Sequence, residues 1–445
     1  MPISALRAQL TSALLEFAWD EWAQMGVFAA TKSTHRWAQD PEALLLLTLE
    51  VGRDDPRLFD EVLDWWLRNE PLISVRRLRT LCDGPEDARL SGAAAEWVAQ
   101  QRRPRSTPHQ RDRDADTTEP LFRGANLPGL RTDPVFSAFG FTRAPAQASG
   151  KSRQPDVAVP INFAFRLRYL LGVGTRAEAV RYLLTSDVES AAVADVAAPS
   201  GYAKRNIQEA LSSLQAAGIA TAVMTSGEQR FAVDRARWSY LLELAPDRIP
   251  SYRDWPRLFG ALRRILRWLA RPDLEGLSDY LLASQAADLL DQVRPELIRA
   301  GVPMPALQSG VRSWSDLEET VEYALLWLSP SSSPTRPAAF EIIDNASGGH
   351  RWRLTTASGR IVATSAEPYT SRRTARAAVQ RMSQAPEQLS FAVMPDAGAY
   401  RWSIVAENGR RLGMSSESFS TSDDAERASR HGRALIGGAV LAPGR

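Results

Sequence analysis

Two stretches near the end of the chain align with each other without a gap. Arg351-Trp352, Gly359-Arg360, Tyr369 and Ala375 of the first recur at the same intervals as Arg401-Trp402, Gly409-Arg410, Phe419 and Ala425 of the second. A duplicated unit repeats one burial pattern, so this region is limited to a pair of like folding units. Each copy reads as short alternating strands, as in RWRLTTASGRIVATS, followed by a helix, TARAAVQRM or DAERASRHGRAL. The copies occupy residues 339–385 and 390–437.

The first copy carries Phe340, Arg351, Trp352, Gly359, Tyr369, Thr370 and Ser371. That pattern resembles the YegP-like family of small bacterial domains, often arranged in tandem. The second copy departs from it with Phe419 and Ser420 where the first has Tyr and Thr. The resemblance implies an α+β fold and no particular chemistry. Alternation along a strand sends neighbours to opposite faces. Trp352 and Trp402 are therefore expected inward, with Arg351 and Arg401 solvated; the alternative has the arginines lining a surface for an acidic partner or a nucleic acid.

The remainder of the 445 residues exceeds one ordinary core, so several units are expected. Residues 1–101 read as helical, with apolar side chains at helical spacing such as Leu58, Val62, Trp65 and Trp66 after the helix-starting DDP at 54–56. Residues 102–160 read as linkers with a short ordered segment, the polar runs at 102–119 and 142–160 lacking periodicity. Residues 251–329 return to helical spacing, with Trp255, Trp268, Trp314 and Trp327 on apolar faces. SPSSSPTRPAA, 329–339, is a linker.

Residues 161–250 carry the densest pattern. Helices are expected at Phe163–Leu171, Arg176–Leu184 and Ala191–Ala198, then a turn at Ser200–Tyr202. A further helix spans Lys204–Ala217 and stops at Gly218, a residue suited to a left-handed cap. Ala203, Ile207, Ala210, Leu211 and Leu214 share one face, leaving Lys204, Arg205, Gln208, Glu209 and Ser212 outward. IATAVMT and EQRFAV follow as strands around Ser226-Gly227, a hairpin signal. The span resembles the winged-helix domains of MarR-like and ArsR-like bacterial regulators, except that Ala203 stands where a Ser or Thr cap is usual. The resemblance implies double-stranded DNA as partner. Arg205 and Gln208 would reach base edges, Lys204 and Asn206 phosphates, and Ser212 would share the outward face. Arg230, Arg176 and Lys151 would add backbone contacts. Winged helices also serve as protein-docking modules, and Glu209 and Glu228 dilute the positive face.

Other motifs carry less. ASGKS at 148–152 has Pro145 where a phosphate loop needs its first glycine, so it reads as linker. His35, His109, His350 and His431 lack metal-ligand spacing, and no metal or cofactor is expected. Asp54, Asp55, Asp60, Glu61 and Asp64 read as a helix start rather than a catalytic pair. VRRLRTL at 75–81 places Arg76, Arg77 and Arg79 on a helix, either a solvated face or a second nucleic-acid surface. The net charge of +2 gives no general pull on polyanions, so any such surface is local. One cysteine, Cys82, excludes an internal disulfide framework and suits a reducing, cytoplasmic compartment. The longest aliphatic run, Ala43 to Leu47, is far below the ~20 residues that span a bilayer. The expectation is a multidomain, mainly α protein: helical N-terminal domain, central winged helix, helical bundle and C-terminal α+β tandem repeat. Its expected role is non-enzymatic DNA binding, with a homodimer as one arrangement the flanking helices permit. The alternative is an interaction scaffold or antitoxin-like partner of another protein.

Overall fold

The computed structural model describes residues 2–29, 37–103, 118–124, 131–186, 188, 190–225, 228–244, 248–304, 314–329, 339–344, 349–355, 361–396, 398–419 and 421–441. The chain divides into two units, one built on residues 1–301 with 312–325 and the other on 302–311 with 326–445.

The first unit opens with α1 (Ile3–Gln24), α2 (Pro41–Val51), α3 (Pro56–Arg68), α4 (Val75–Thr80) and α5 (Pro85–Arg102). Asp40, Asp55 and Ser74 accept hydrogen bonds from the first free N–H groups of α2, α3 and α4. Proline opens α2 and α3 at a position whose N–H has no helical partner. Trp22, Trp65 and Trp97 are buried among these helices, and the Trp65 indole donates to the Met25 carbonyl at 2.8 Å.

Next, β1 (Glu119–Pro120) pairs in parallel with β2 (Phe141–Thr142), the two flanking α6 (Pro134–Ala138). Leu121, Phe122, Val135, Phe136 and Phe141 are buried. The described part of 102–160 is thus packed structure, where the sequence suggested mostly linker. The segment beyond β2 is a strap: the N–H groups of Gly150 and Ser152 donate to Asp64 at 2.8 and 3.2 Å, and that of Arg153 to the Gly26 carbonyl at 2.8 Å. An extended strap finds its partners on distant helices and so shows no periodicity of its own.

A small layered region follows: α7 (Phe163–Leu171), α8 (Thr175–Thr185), β3 (Ala191–Ala192), α9 (Val193–Ser200), α10 (Lys204–Ala216), β4 (Ala220–Thr225), β5 (Glu228–Val233) and α11 (Arg235–Leu241). Its antiparallel sheet has the order β3-β5-β4. The helix expected from Ala191 starts two residues later, because Ala191 and Ala192 pair with Phe231 and Arg230. The unit closes with α12 (Trp255–Leu269), α13 (Asp279–Arg299) and α14 (Trp314–Leu328), whose last residues from 326 on fall in the second unit. The Trp255 ring lies tilted against Phe17 of α1, ring centroids 5.8 Å apart, and its indole donates to the Ala38 carbonyl at 2.9 Å. The divisions drawn at 101, 160 and 250 therefore fall inside one unit with shared cores.

The second unit holds β6 (Ala339–Asp344), β7 (His350–Thr355), β8 (Ile361–Ser365) and α15 (Arg372–Gln384), then β9 (Ser390–Asp396), β10 (Ala399–Val405), β11 (Arg411–Ser415), α16 (Ser422–Gly438) and β12 (Val440–Leu441). The sheet order is β12-β6-β7-β8-β11-β10-β9. The two copies join where β8 meets β11 antiparallel, Ser365 opposite Gly413 and Ala363 opposite Ser415. From the end of the second copy, β12 returns to run parallel with β6. Trp352 and Trp402 are buried, as alternation required. Their neighbouring arginines are half-buried rather than solvated: Arg351 donates to the Ser365 carbonyl at 2.7 Å, and Arg401 to that of Ser415 at 3.2 Å. Gly359, Arg360 and Ser420 lie outside the described residues. No described helix is long and apolar enough to cross a membrane.

Candidate nucleic-acid interface

Helix α10 is amphipathic in the manner its spacing required. Ile207, Ala210, Leu211 and Leu214 are buried, with Ile207 and Leu211 packed against Ala179, Leu183, Val196 and Phe231 of α8, α9 and β5. Gly201, at φ 69°, and Gly218, at φ 70°, supply the left-handed residues before and after the helix. Ala203 is not part of the buried stripe: it is the exposed N-cap, and no side chain caps the helix.

The polar face keeps its first turn open. Lys204 is exposed with no ion-pair partner among the described residues. The Arg205 side chain is 88% exposed and, among the described residues, pairs only with Glu209, at 2.9 Å. Asn206 is half-buried, and Gln208 donates to Ser212 at 3.1 Å. The remaining expected contacts fare differently. Arg230 is bound to Ser190, Asp195 and Glu228, donating to the Ser190 carbonyl at 2.9 Å, which leaves its side chain 26% exposed. Among the described residues Arg176 meets only Ser213, at 3.3 Å. Lys151 is exposed on the strap, whose hydrogen bonds run to Asp64 and Gly26 and not to α10. Those same bonds occupy the N–H groups that a phosphate loop would have needed. The turn residues Ser226 and Gly227 lie outside the described residues.

The turn ahead of α10 is fixed from outside the region that sequence periodicity marked. Arg77 of α4 is fully buried and donates through Nε to the Ser200 carbonyl at 2.6 Å. Its guanidinium also grips both Asp40 oxygens, at 2.6 and 2.5 Å, and Glu42 at 2.8 Å. Arg168 joins Glu42 to Glu178, and Arg181 joins Glu178 to Asp40. Six charges thus form a closed, neutral cluster. Burial alone would raise the Glu178 carboxyl, but Arg181, Arg77 and Arg168 outweigh it and hold the group well below its usual range. Leu81 rests against Gly201, where a Cβ would come within 2.6 Å of its side chain. Sequence reasoning missed this cluster because the Arg77 partners stand 35, 37 and 123 residues away.

Beside this joint lies an open depression of about 470 Å3, lined among others by Ser74, Arg76, Thr175, Arg176, Tyr202 and Asn206. The acidic run near α3 is dispersed: Asp55 caps the helix, while Asp54, Asp60 and Asp64 each meet a separate partner, Arg123, Arg143 and the strap. His350 meets Asp344 at 2.8 Å on the surface of the second unit. His35 and His109, and the side chain of His431, lie outside the described residues.

Comparison with known proteins bears on the second unit alone. Residues 345–388 match the family described as "Domain of unknown function (DUF1508)". Among solved structures, YegP of E. coli, a protein of unknown function, is 23% identical over 24% of this chain and 91% of its own, with a TM-score of 0.21. A UPF0339 protein from Shewanella oneidensis is 14% identical over 24% of this chain and 89% of its own, also with a TM-score of 0.21. The curated proteins contain no match. The family match is thus confined to residues 345–388, which are similar to DUF1508 domains.

Proposed function

We propose that residues 163–233 form a winged helix that binds double-stranded DNA, with α10 in the major groove and the β4–β5 hairpin beside it. The succession of helix, short strand, two helices and hairpin, with sheet order β3-β5-β4, is similar to the layout of MarR-like and ArsR-like regulators. The observation that carries the reading is the open first turn of α10, where Lys204 has no ion-pair partner among the described residues and Arg205 is 88% exposed. In this reading Arg205 and Gln208 read base edges while Lys204 and Asn206 hold phosphates. The Arg205–Glu209 pair joins two exposed side chains and exchanges readily for a better acceptor. Arg230 braces the base of the wing, while the exposed Lys151 adds a backbone contact. A homodimer would bring two copies of α10 to half-sites about one DNA turn apart.

The test is to recover bound genomic fragments by capture and sequencing, then to titrate a recovered duplex by gel shift. Arg205→Ala should bind it about ten- to a hundredfold more weakly and discriminate less between bases at one position. Recovery of fragments without a shared motif, or equal binding by the variant, defeats the proposed readout.

A second reading follows from the wing itself. β4 is an edge strand, and its Val223 and Met224 are 47% and 69% exposed. An open strand edge with apolar side chains suits a protein partner, which would make the chain a non-enzymatic scaffold or antitoxin-like component. Salt separates the two, because DNA binding weakens steeply with ionic strength and an apolar contact does not.

A further inference from the structure

We propose that α4 is part of the DNA-contacting surface, presenting Arg76 and Arg79 to the phosphate backbone alongside the start of α10. The inference rests on the winged-helix reading above and extends its surface beyond residues 163–233.

Three observations carry it. First, α4 is fastened to the turn that precedes α10: Arg77 binds the Ser200 carbonyl at 2.6 Å and Leu81 fills the space over Gly201. Second, Arg77 and Leu78 take the buried side of this short helix, so Arg76 and Arg79, one turn apart, are left exposed together. Neither has an ion-pair partner among the described residues, whereas Arg77, Arg168, Arg181, Arg205 and Arg230 are all paired. Third, Arg76 lines the same depression as Arg176 and Asn206, together with the hydroxyl-bearing Ser74, Thr175 and Tyr202. Glu209 is the acid on that lining, and Arg205 already engages it.

Two arginines, an amide and three hydroxyls around an open hollow offer many hydrogen-bond donors and a net positive charge. A phosphodiester backbone matches that chemistry: it is anionic, repeats along the groove edge, and is held by Arg, Ser, Thr, Tyr and Asn side chains without regard to sequence. Because α4 cannot shift relative to the turn without breaking the Arg77 bonds, its two arginines would keep a constant offset from α10. They would set affinity and register, while Arg205 and Gln208 set specificity.

The experiment measures binding of the full chain to a fluorescent mixed-sequence duplex by anisotropy across a series of KCl concentrations. Each phosphate contact contributes about 0.9 to the slope of log K against log salt. Arg76→Ala/Arg79→Ala should bind more weakly at low salt and lose up to about 1.8 of that slope, whereas Arg76→Lys/Arg79→Lys should keep it. Both side chains are exposed, and matching circular dichroism spectra and melting points would establish that the variants fold. A wild-type protein that binds with a steep slope, and an alanine variant with the same slope and affinity, would overturn the role of α4 while leaving the winged-helix reading standing. Absence of salt-sensitive binding by the wild type would remove both.

Discussion

At the scale of single residues, the start of α10 shows a stabilising contact left unused. Ala203 has the extended backbone of an N-cap, φ −62° and ψ 142°, but no oxygen to offer the free N–H groups behind it. Ala203→Ser should supply that acceptor and raise stability by about 0.5–2 kcal/mol, read as a higher denaturant midpoint with unchanged slope. A lower midpoint would mean that the turn from Gly201 tolerates nothing larger. Arg77 is the opposite case. It is buried with two carboxylates and a backbone carbonyl on its donors, so its loss strands charges that water cannot reach.

At the scale of elements, each tryptophan of the duplicated strands is seated over a glycine. A Cβ on Gly413 would lie 2.4 Å from the Trp352 ring, and one on Gly432 would lie 2.5 Å from that of Trp402. Gly413→Ala should therefore cost about 1–3 kcal/mol by displacing a core side chain, seen as a lower melting point and altered near-ultraviolet dichroism from tryptophan. An unaltered melting point would show that β11 yields without strain. These elements also mark the limit of what the sequence discloses. The strands and helices of the repeat, α7, α10 and the β4–β5 hairpin follow from local periodicity and turn chemistry, and the inward stripe of α10 emerges residue by residue apart from Ala203. By contrast β3 is too short to show a period, the strap from Ala144 to Asp156 is held by Asp64 of α3 and by Gly26 just beyond α1, and Arg77 cannot be told from Arg76 and Arg79 within VRRLRTL. Each of these is decided by partners far along the chain, which is where local pattern carries no information.

At the scale of the whole molecule, the closed cluster of Asp40, Glu42, Arg77, Arg168, Glu178 and Arg181 ties α2, α4, α7 and α8 together. Replacing Arg77 by Met should lower the stability of the first unit by about 3–5 kcal/mol at pH 7, because a buried ion pair broken on one side is costly. Asp40 and Glu178 are both held below their ordinary values of 3.8 and 4.5: burial pushes them up, and the neighbouring arginines more than reverse it. Their stabilisation is therefore complete above those values and drains away as the pH falls below them toward the folded-state values. Melting points recorded from pH 7 down to 3 should hold until about 4.5 and then drop steeply. A profile level through that range would show the cluster to be dispensable. The second unit is secured differently, through β12, which comes back from the far copy to lie against the outermost strand of the near one. The first copy thus has its edge strand covered by a segment that follows the second. A cut that removed β12 would bare the outer side of β6, leaving a row of N–H and C=O groups open to pairing by a foreign strand.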